Sequence, residues 1–229
     1  MPNNNKRRAV LDDGCCPELV RGAQFDGFLE IPMIERPNAL VVPDAIVPFS
    51  MRDKAPTNNR IAIGFYEMDP RFSDVLISPE SFIDDFARFT AIISPDCSLY
   101  RDAPLAVQIT NLYRNRAIGN FYQRKGLYVI PQIRWGGRET YTTSLFSEKI
   151  AFLGAAKHSI VAIGTYGCIQ HHSDKEHFKA GLEAMIDTLE PEIVLVYGSM
   201  PDSVFRDYLH ATRFVQYSDW TTTQHGGDN

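Results

Sequence analysis

Short, continuous apolar runs recur along the chain at roughly regular intervals. They are Ala39-Leu-Val-Val, Arg60-Ile-Ala-Ile-Gly-Phe, Thr90-Ala-Ile-Ile, Leu127-Tyr-Val-Ile, Ser159-Ile-Val-Ala-Ile, Glu192-Ile-Val-Leu-Val-Tyr and Arg213-Phe-Val-Gln-Tyr. Runs of this length without polar alternation suit strands covered on both faces, as in a parallel sheet. Most of the gaps carry helix signals. Ser78-Pro79-Glu80 supplies a cap, a first-turn proline and an acidic residue ahead of Phe82–Phe89. Asp102 and Pro104 open a long segment that reads to Lys125 and stops at Gly126. Ser173-Asp-Lys-Glu176 has the form of a capping box, and Phe178, Leu182, Met185, Ile186 and Leu189 then make one apolar face before Pro191. Ser199 and Asp202 are expected to cap a last short helix through Leu209.

Strand and helix therefore alternate, which predicts an α/β fold of mostly parallel strands joined by right-handed crossovers. An irregular or incomplete (β/α) barrel is preferred, with an open doubly wound sheet as the alternative. No glycine-rich nucleotide fingerprint follows any strand, which weakens the second form. Residues 1–24 read as a polar leader, 25–220 as one α/β domain and 221–229 as a polar tail.

Composition narrows the function classes. With 229 residues, 44% of them hydrophobic and 22% charged, the chain has the make-up of a globular protein and not of a disordered one. Its apolar runs fall far short of the roughly 20 residues needed to span a bilayer, and no apolar segment follows the basic cluster Lys6-Arg-Arg8. A cytoplasmic protein without membrane contact is expected. A net charge of −5 argues against wrapping nucleic acid but leaves room for a local basic site. Cys15, Cys16, Cys97 and Cys168 are too few and too irregular for a disulfide framework. Cys168, His171, His172 and Cys97 have the residue types of a metal site, but adjacent histidines seldom share one ion, so no metal is expected and no cofactor is assigned.

In either architecture ligands bind at the carboxyl ends of the strands. The residues that close the runs form a polar set: Asp44, Tyr66, Glu67, Asp69, Asp96, Gln132, Arg134, Trp135, Thr165, Tyr166, Tyr197, Ser199 and Asp219. Ordinary turn and cap roles account for any one of them, so the inference rests on the collection. On the long helix Ile109, Leu112, Tyr113 and Arg116 share one stripe, and Arg116 interrupts the face that should pack inward. A guanidinium there needs a carboxylate or a row of carbonyls, with Asp96 as the expected partner, or else it grips an anionic ligand. Arg134 and Trp135, followed by two glycines, offer either a stacking wall for a planar ligand or a hydrophobic lid.

Phe65-Tyr-Glu-Met-Asp69-Pro-Arg-Phe72, Ser94-Pro-Asp-Cys-Ser-Leu-Tyr100-Arg-Asp102-Ala-Pro104, Tyr113-Arg-Asn-Arg116-Ala-Ile-Gly119 and Gly126-Leu-Tyr-Val-Ile-Pro131 with Trp135 together resemble an uncharacterised family of bacterial and phage proteins, a domain of unknown function. The similarity runs from about Ile61 to Gly198. In that family an aromatic usually stands at Cys97, and a serine and an acidic residue stand at Gly136 and Gly137. The resemblance implies a bacterial or phage cytosolic setting and points to Asp69, Asp96, Tyr100, Asn111, Arg114, Arg116 and Trp135.

Two functions compete. One is an enzyme acting on a phosphate- or carbohydrate-containing substrate, with Asp69 and Asp96 as general acid/base and Arg116 and Arg134 on an anionic group. Tyr100, Asn111, Arg114, Trp135 and Tyr197 complete its ligand-binding set. The other is a phage or mobile-element accessory protein that binds nucleic acid or a host protein without turnover, through Lys6-Arg-Arg8 and the basic and aromatic stretch Tyr113-Arg-Asn-Arg116 with Tyr122 and Arg124. A module whose rim holds only capping residues is the bland third option.

Overall fold

The computed structural model describes residues 16–56, 60–165, 168–169 and 171–218. A two-residue hairpin, β1 (Phe25–Asp26) and β2 (Ile31–Pro32), precedes seven parallel strands. These are β3 (Ala45–Pro48), β4 (Ile61–Gly64), β5 (Ala91–Ile93), β6 (Val129–Ile130), β7 (Ile160–Gly164), β8 (Ile193–Tyr197) and β9 (Arg213–Tyr217). They lie in chain order as a four-stranded sheet, β3 to β6, and a three-stranded sheet, β7 to β9. A parallel bridge from Gln132 to Ala162 joins the two, with the Ile133 amide donating to Ala162 at 2.8 Å and the Ala162 amide to Pro131 at 3.0 Å. The crossovers carry α1 (Ser73–Ile77) and α2 (Ile83–Phe86), then α3 (Leu105–Arg124), α4 (Arg138–Tyr141), α5 (His172–Leu189) and α6 (Asp202–Phe205).

Alternate side chains of each strand go to opposite faces, and both faces are buried along β4 to β8, whereas the edge strand β9 exposes Arg213 and Gln216. Ile46, Ala62, Ile93, Ile130, Ala162, Leu195 and Tyr217 come from all seven strands and belong to one inner cluster that contains no helical residue. The opposite faces pack on helices. Ile63, Ile92 and Val129 meet residues of α1 to α3, and Val161, Ile163, Val194 and Val196 meet α4 to α6. Helices therefore sit on one face of the strands only, which sets aside the doubly wound alternative. The strands surround a shared inner core without closing: among the described residues no backbone pairing joins β9 to β3. One side-chain bond spans that gap, from the Tyr217 hydroxyl to the Pro43 carbonyl at 2.7 Å.

The strand expected at Ala39–Val42 does not form. That run crosses the amino-terminal end of the strands. Arg36 pairs with Glu192 at 2.7 Å, the Val41 amide donates to the Tyr128 hydroxyl at 2.8 Å, and Leu40 and Val42 pack on the inner cluster. The first strand lies three residues later, between Pro43 and Pro48. As the edge strand it tolerates a terminal proline, because one of its sides needs no ladder bonds. Other boundaries also shift. Phe82–Phe89 yields a 3₁₀ turn at Pro79–Phe82 followed by α2, with no side-chain cap from Ser78. Helix α5 starts before Ser173, and its capping box is made by His171 and Asp174. Pro201, not Ser199, precedes the first turn of α6. Gly126 ends α3 at φ +85°, as its sequence signal requires.

Helix α3 is enclosed more fully than its stripe predicts. The hairpin and the segment Ile150–Leu153 cover the side facing away from the strands, so every residue from Asn115 to Tyr122 is buried. Residues 16–22, read as part of a leader, form turns against this helix, with the Arg124 guanidinium donating to the carbonyls of Leu19 and Arg21. No helix among the described residues is long and apolar enough to cross a membrane.

Candidate functional site

The loop after β5 is held by polar side chains of α3 and by Asp69. The Ser94 hydroxyl donates to Asn115 Oδ1 at 2.8 Å and accepts from the Gln132 amide at 2.8 Å. Asn115 Nδ2 donates to the Pro95 carbonyl at 2.6 Å, and Asn111 Nδ2 to the Ser98 carbonyl at 2.6 Å. Asp69 accepts from both the amide and the hydroxyl of Ser98, at 3.1 and 2.7 Å. A loop whose main-chain groups are satisfied in this way has little freedom, so Asp96 at its centre is fixed in place.

Asp96 is buried, and its Oδ1 lies 2.8 Å from Arg134 Nε, at the end of β6. Gln132 Nε2 adds a bond to the same oxygen at 3.4 Å, while Gln132 Oε1 accepts from the Tyr66 hydroxyl at 2.7 Å. The Tyr66 ring stacks on Tyr197, with centroids 4.4 Å apart and planes at 5°. Burial raises the pKa of the Asp96 carboxyl from its ordinary value, against the opposing pull of Arg134 and with help from the nearby Asp69 charge. Burial also lifts the Tyr66 phenol well above its ordinary value. The result is a carboxyl group that can hold a proton beside a cation that orients it.

Arg134 opens onto a cavity of about 510 Å³ at the carboxyl ends of β5, β6 and β7. Leu99 to Asp102 form one side, Ile133 to Trp135 the floor, Gly164 and Cys168 another wall, and Asp174, His177 and Phe178 of α5 the fourth. Gly181 lets α5 approach the floor: a Cβ there would lie 2.2 Å from Trp135 Nε1. The two glycines after Trp135 serve packing more than backbone freedom, because neither has positive φ and a Cβ on Gly136 would strike Gln108. His177 Nε2 lies 2.8 Å from the Gly136 carbonyl, which can only accept, so that nitrogen carries the proton and Nδ1 accepts from the Tyr141 hydroxyl at 3.3 Å. Burial holds the imidazole below its ordinary pKa, in keeping with a neutral ring. Burial raises the Cys168 thiol, so it is not an activated nucleophile.

The sequence-predicted residues divide into three groups. Arg134, Trp135 and Tyr100 line the cavity, the last at 61% exposure on its rim, with Asp96 directly behind Arg134. Asp69 and Asn111 shape the loop that carries Asp96. The remaining three lie elsewhere. Tyr197 is in the inner core, and Arg114 lines a separate small cavity with Leu19 and Tyr113. Arg116 has no exposed surface. It donates from Nε to the Leu153 carbonyl at 2.9 Å and from Nη1 to the Gln132 carbonyl and Asn115 Oδ1 at 2.7 and 2.6 Å. The expected Arg116–Asp96 pair is thus corrected: Arg134 takes the carboxylate, and Arg116 takes the row of carbonyls. Burial pushes its pKa down to about 9, which leaves it a cation at neutral pH. Fully enclosed, Arg116 cannot share an anionic ligand with Arg134.

Asp44 is also corrected, since it pairs with Arg60 at 2.9 Å at the amino end of β3 and β4, opposite the cavity. Glu67 accepts from the amide of Ser50 at 3.0 Å and pairs with Arg71. Among the described residues no group of His, Cys, Asp and Glu could hold a metal ion, and Cys97 is buried. Cys15, Tyr166, Asp219 and Lys6–Arg8 lie outside the described residues. Sequence reasoning missed Arg101, Asp102, Asp174 and His177. The available signal was the α5 stripe Asp174, His177, Phe178, Gly181, Leu182, in which a histidine interrupts an inward face as Arg116 does on α3.

The loop after β5 and the tryptophan are among the residues that carried the family resemblance, and the family model described as a domain of unknown function, DUF4417, matches residues 23–218. The chain belongs to the DUF4417 family. The matched span contains β1 through β9 and the residues that line the cavity. A "Gene 1 protein" of Mycobacterium phage L5 is 32% identical over 175 residues, covering 75% of this DUF4417 chain and 73% of the phage protein. A second "Gene 1 protein", of Mycobacterium phage D29, is 32% identical over 139 residues, 61% of this chain and 49% of its own length. No solved structure matches the chain.

Proposed function

We propose that this DUF4417 protein is an enzyme that acts on a small phosphate- or carbohydrate-containing substrate in the cleft above Asp96 and Arg134. The observation that carries the reading is a buried carboxyl, raised in pKa and oriented by Arg134 and Gln132, directly behind the arginine that lines a cavity of about 510 Å³ at the strand carboxyl ends. Asp96 exchanges a proton with an oxygen of the substrate, as general acid in its protonated form and as base once ionised. Arg134 holds that carboxyl and faces the substrate, and Tyr100 and Trp135 bound the space. Asp69 acts by positioning, through Ser98. The phage origin of the two relatives supports a phage or mobile-element setting for such an activity.

The accessory-protein reading has less support, because the stretch that suggested nucleic acid faces inward. Arg116 and Tyr122 have no exposure, and Arg124 is spent on main-chain carbonyls. The test is to incubate the full chain with a panel of sugar phosphates, nucleotides and glycosides and follow the products by mass spectrometry. Asp96→Asn is expected to slow turnover by about 10²–10⁴-fold with an unchanged circular dichroism spectrum. Consumption of no panel member by the wild-type chain, or equal rates in the variant, would refute the reading.

A further inference from the structure

We propose that the cleft takes a sugar phosphate, free or as part of a nucleotide, with the phosphate on the open edge of Arg134 and the sugar hydroxyls toward Asp102 and Asp174. The assignment rests on reading the cleft as the working site and specifies what enters it. The shortest contact of Arg134 with Asp96 is through Nε; its side chain keeps 23% of its exposure, and no hydrogen bond joins its two terminal nitrogens to the described residues. A guanidinium presents its donors as a planar fork that matches two oxygens of a phosphate. An uncharged substrate covering Arg134 would leave these donors buried and unpaired, which is costly.

The rest of the lining fits the remainder of such a molecule. Arg101, on the rim, forms no ion pair among the described residues and supplies a second cation for a dianionic group. Asp102 and Asp174 line the same cleft and are acceptors when ionised, so they suit hydroxyl donors. Asp174 has one oxygen engaged by the His171 amide at 3.1 Å, and Asp102 makes no hydrogen bond to the described residues. Trp135 also lines the cleft and supplies an apolar surface for the C–H face of a sugar ring.

Calorimetric titration of the full chain with inorganic phosphate, ribose, ribose 5-phosphate and a nucleoside 5′-monophosphate tests the assignment. Ribose 5-phosphate is expected to bind about tenfold or more tightly than either ribose or inorganic phosphate. Tighter binding of the nucleotide than of ribose 5-phosphate identifies a nucleotide as the source of the sugar phosphate, and the reverse identifies the free sugar phosphate. Arg101→Gln, at the surface, should weaken the phosphorylated ligands about three- to tenfold and leave ribose unchanged. Asp96→Asn combined with Arg134→Gln removes both charges together, so neither is left buried and alone, and it should abolish the preference for phosphate.

Equal binding of ribose and ribose 5-phosphate, or a preference that survives in the double variant, overturns the assignment. Inorganic phosphate binding as tightly as the sugar phosphate also overturns it, by reducing the site to an anion hole. Asp96-dependent turnover of an uncharged glycoside without phosphate preference would refute this assignment and keep the enzyme reading. The expected preference in a chain that turns nothing over would do the opposite.

Discussion

A guanidinium without exposed surface needs acceptors around it, and Arg116 finds them on the main chain at Leu153 and Gln132 and on Asn115. Replacing it with alanine removes the side-chain donor of the buried Leu153 carbonyl and leaves the Gln132 carbonyl with only the Asn115 amide at 3.5 Å, losses worth about 1–3 kcal/mol each. Arg116→Ala is therefore expected to lose about 3 kcal/mol or more in urea denaturation, and a change below about 1 kcal/mol would contradict the described network. Asp96 behaves differently because burial raises its pKa in the fold above the unfolded value. A raised pKa means that the fold prefers the protonated form. Its stabilising contribution is complete below the ordinary carboxylate range, near 3.9, and is lost as pH rises through the higher folded value. The melting temperature of the wild type relative to Asp96→Asn should increase on acidification through that range; a decrease would reverse the assigned direction. The need of Arg116 for a partner was legible in the sequence from its place on an apolar stripe. Its actual partner was not, because the register that sets Arg134 beside Asp96 depends on β5 pairing with β6.

At the scale of elements, α5 and the loop after β6 form one unit. Gly181 gives the close approach, Trp135 and Phe178 pack with ring centroids 4.9 Å apart, and His177 ties the helix to Gly136. Gly181→Ala gains about 1 kcal/mol of helix propensity but forces a carbon into the buried indole, for which overpacking costs about 1–3 kcal/mol. The overlap wins, so the variant should melt lower and shift tryptophan emission as the indole moves toward the cavity. A variant that melts higher would show that α5 has room to spare. His177 adds a pH dependence of its own, since burial lowers its pKa from the ordinary 6.5. That contribution is present above 6.5 and is lost as pH falls through the lower folded value. His177→Gln keeps a donor for Gly136 without a titrating ring, so its melting temperature should fall less steeply below pH 6 to 7 than that of the wild type, whereas parallel curves would exclude His177 as the source.

The strand array was largely legible because burial on both faces writes each strand as an unbroken apolar run, and six of the seven runs are strands. Ala39–Val42 misled for the same reason: a segment lying across the end of the strands is as apolar as a strand, and only the Tyr128 hydroxyl and its flanking contacts distinguish it. The cavity was half legible. Its β5 and β6 residues follow strand ends, whereas Asp174 and His177 reach it from a helix whose position depends on the β7 to β8 crossover. The central claim for the whole molecule is that its work is done at the carboxyl ends of β5 to β7. Hydrogen–deuterium exchange of the full chain with and without ribose 5-phosphate tests that claim directly. Ligand should slow exchange in 94–102, 133–137 and 171–178 while leaving the hairpin at 25–32 unchanged; protection confined to the hairpin or to the amino ends of the strands, or no protection anywhere, would contradict it.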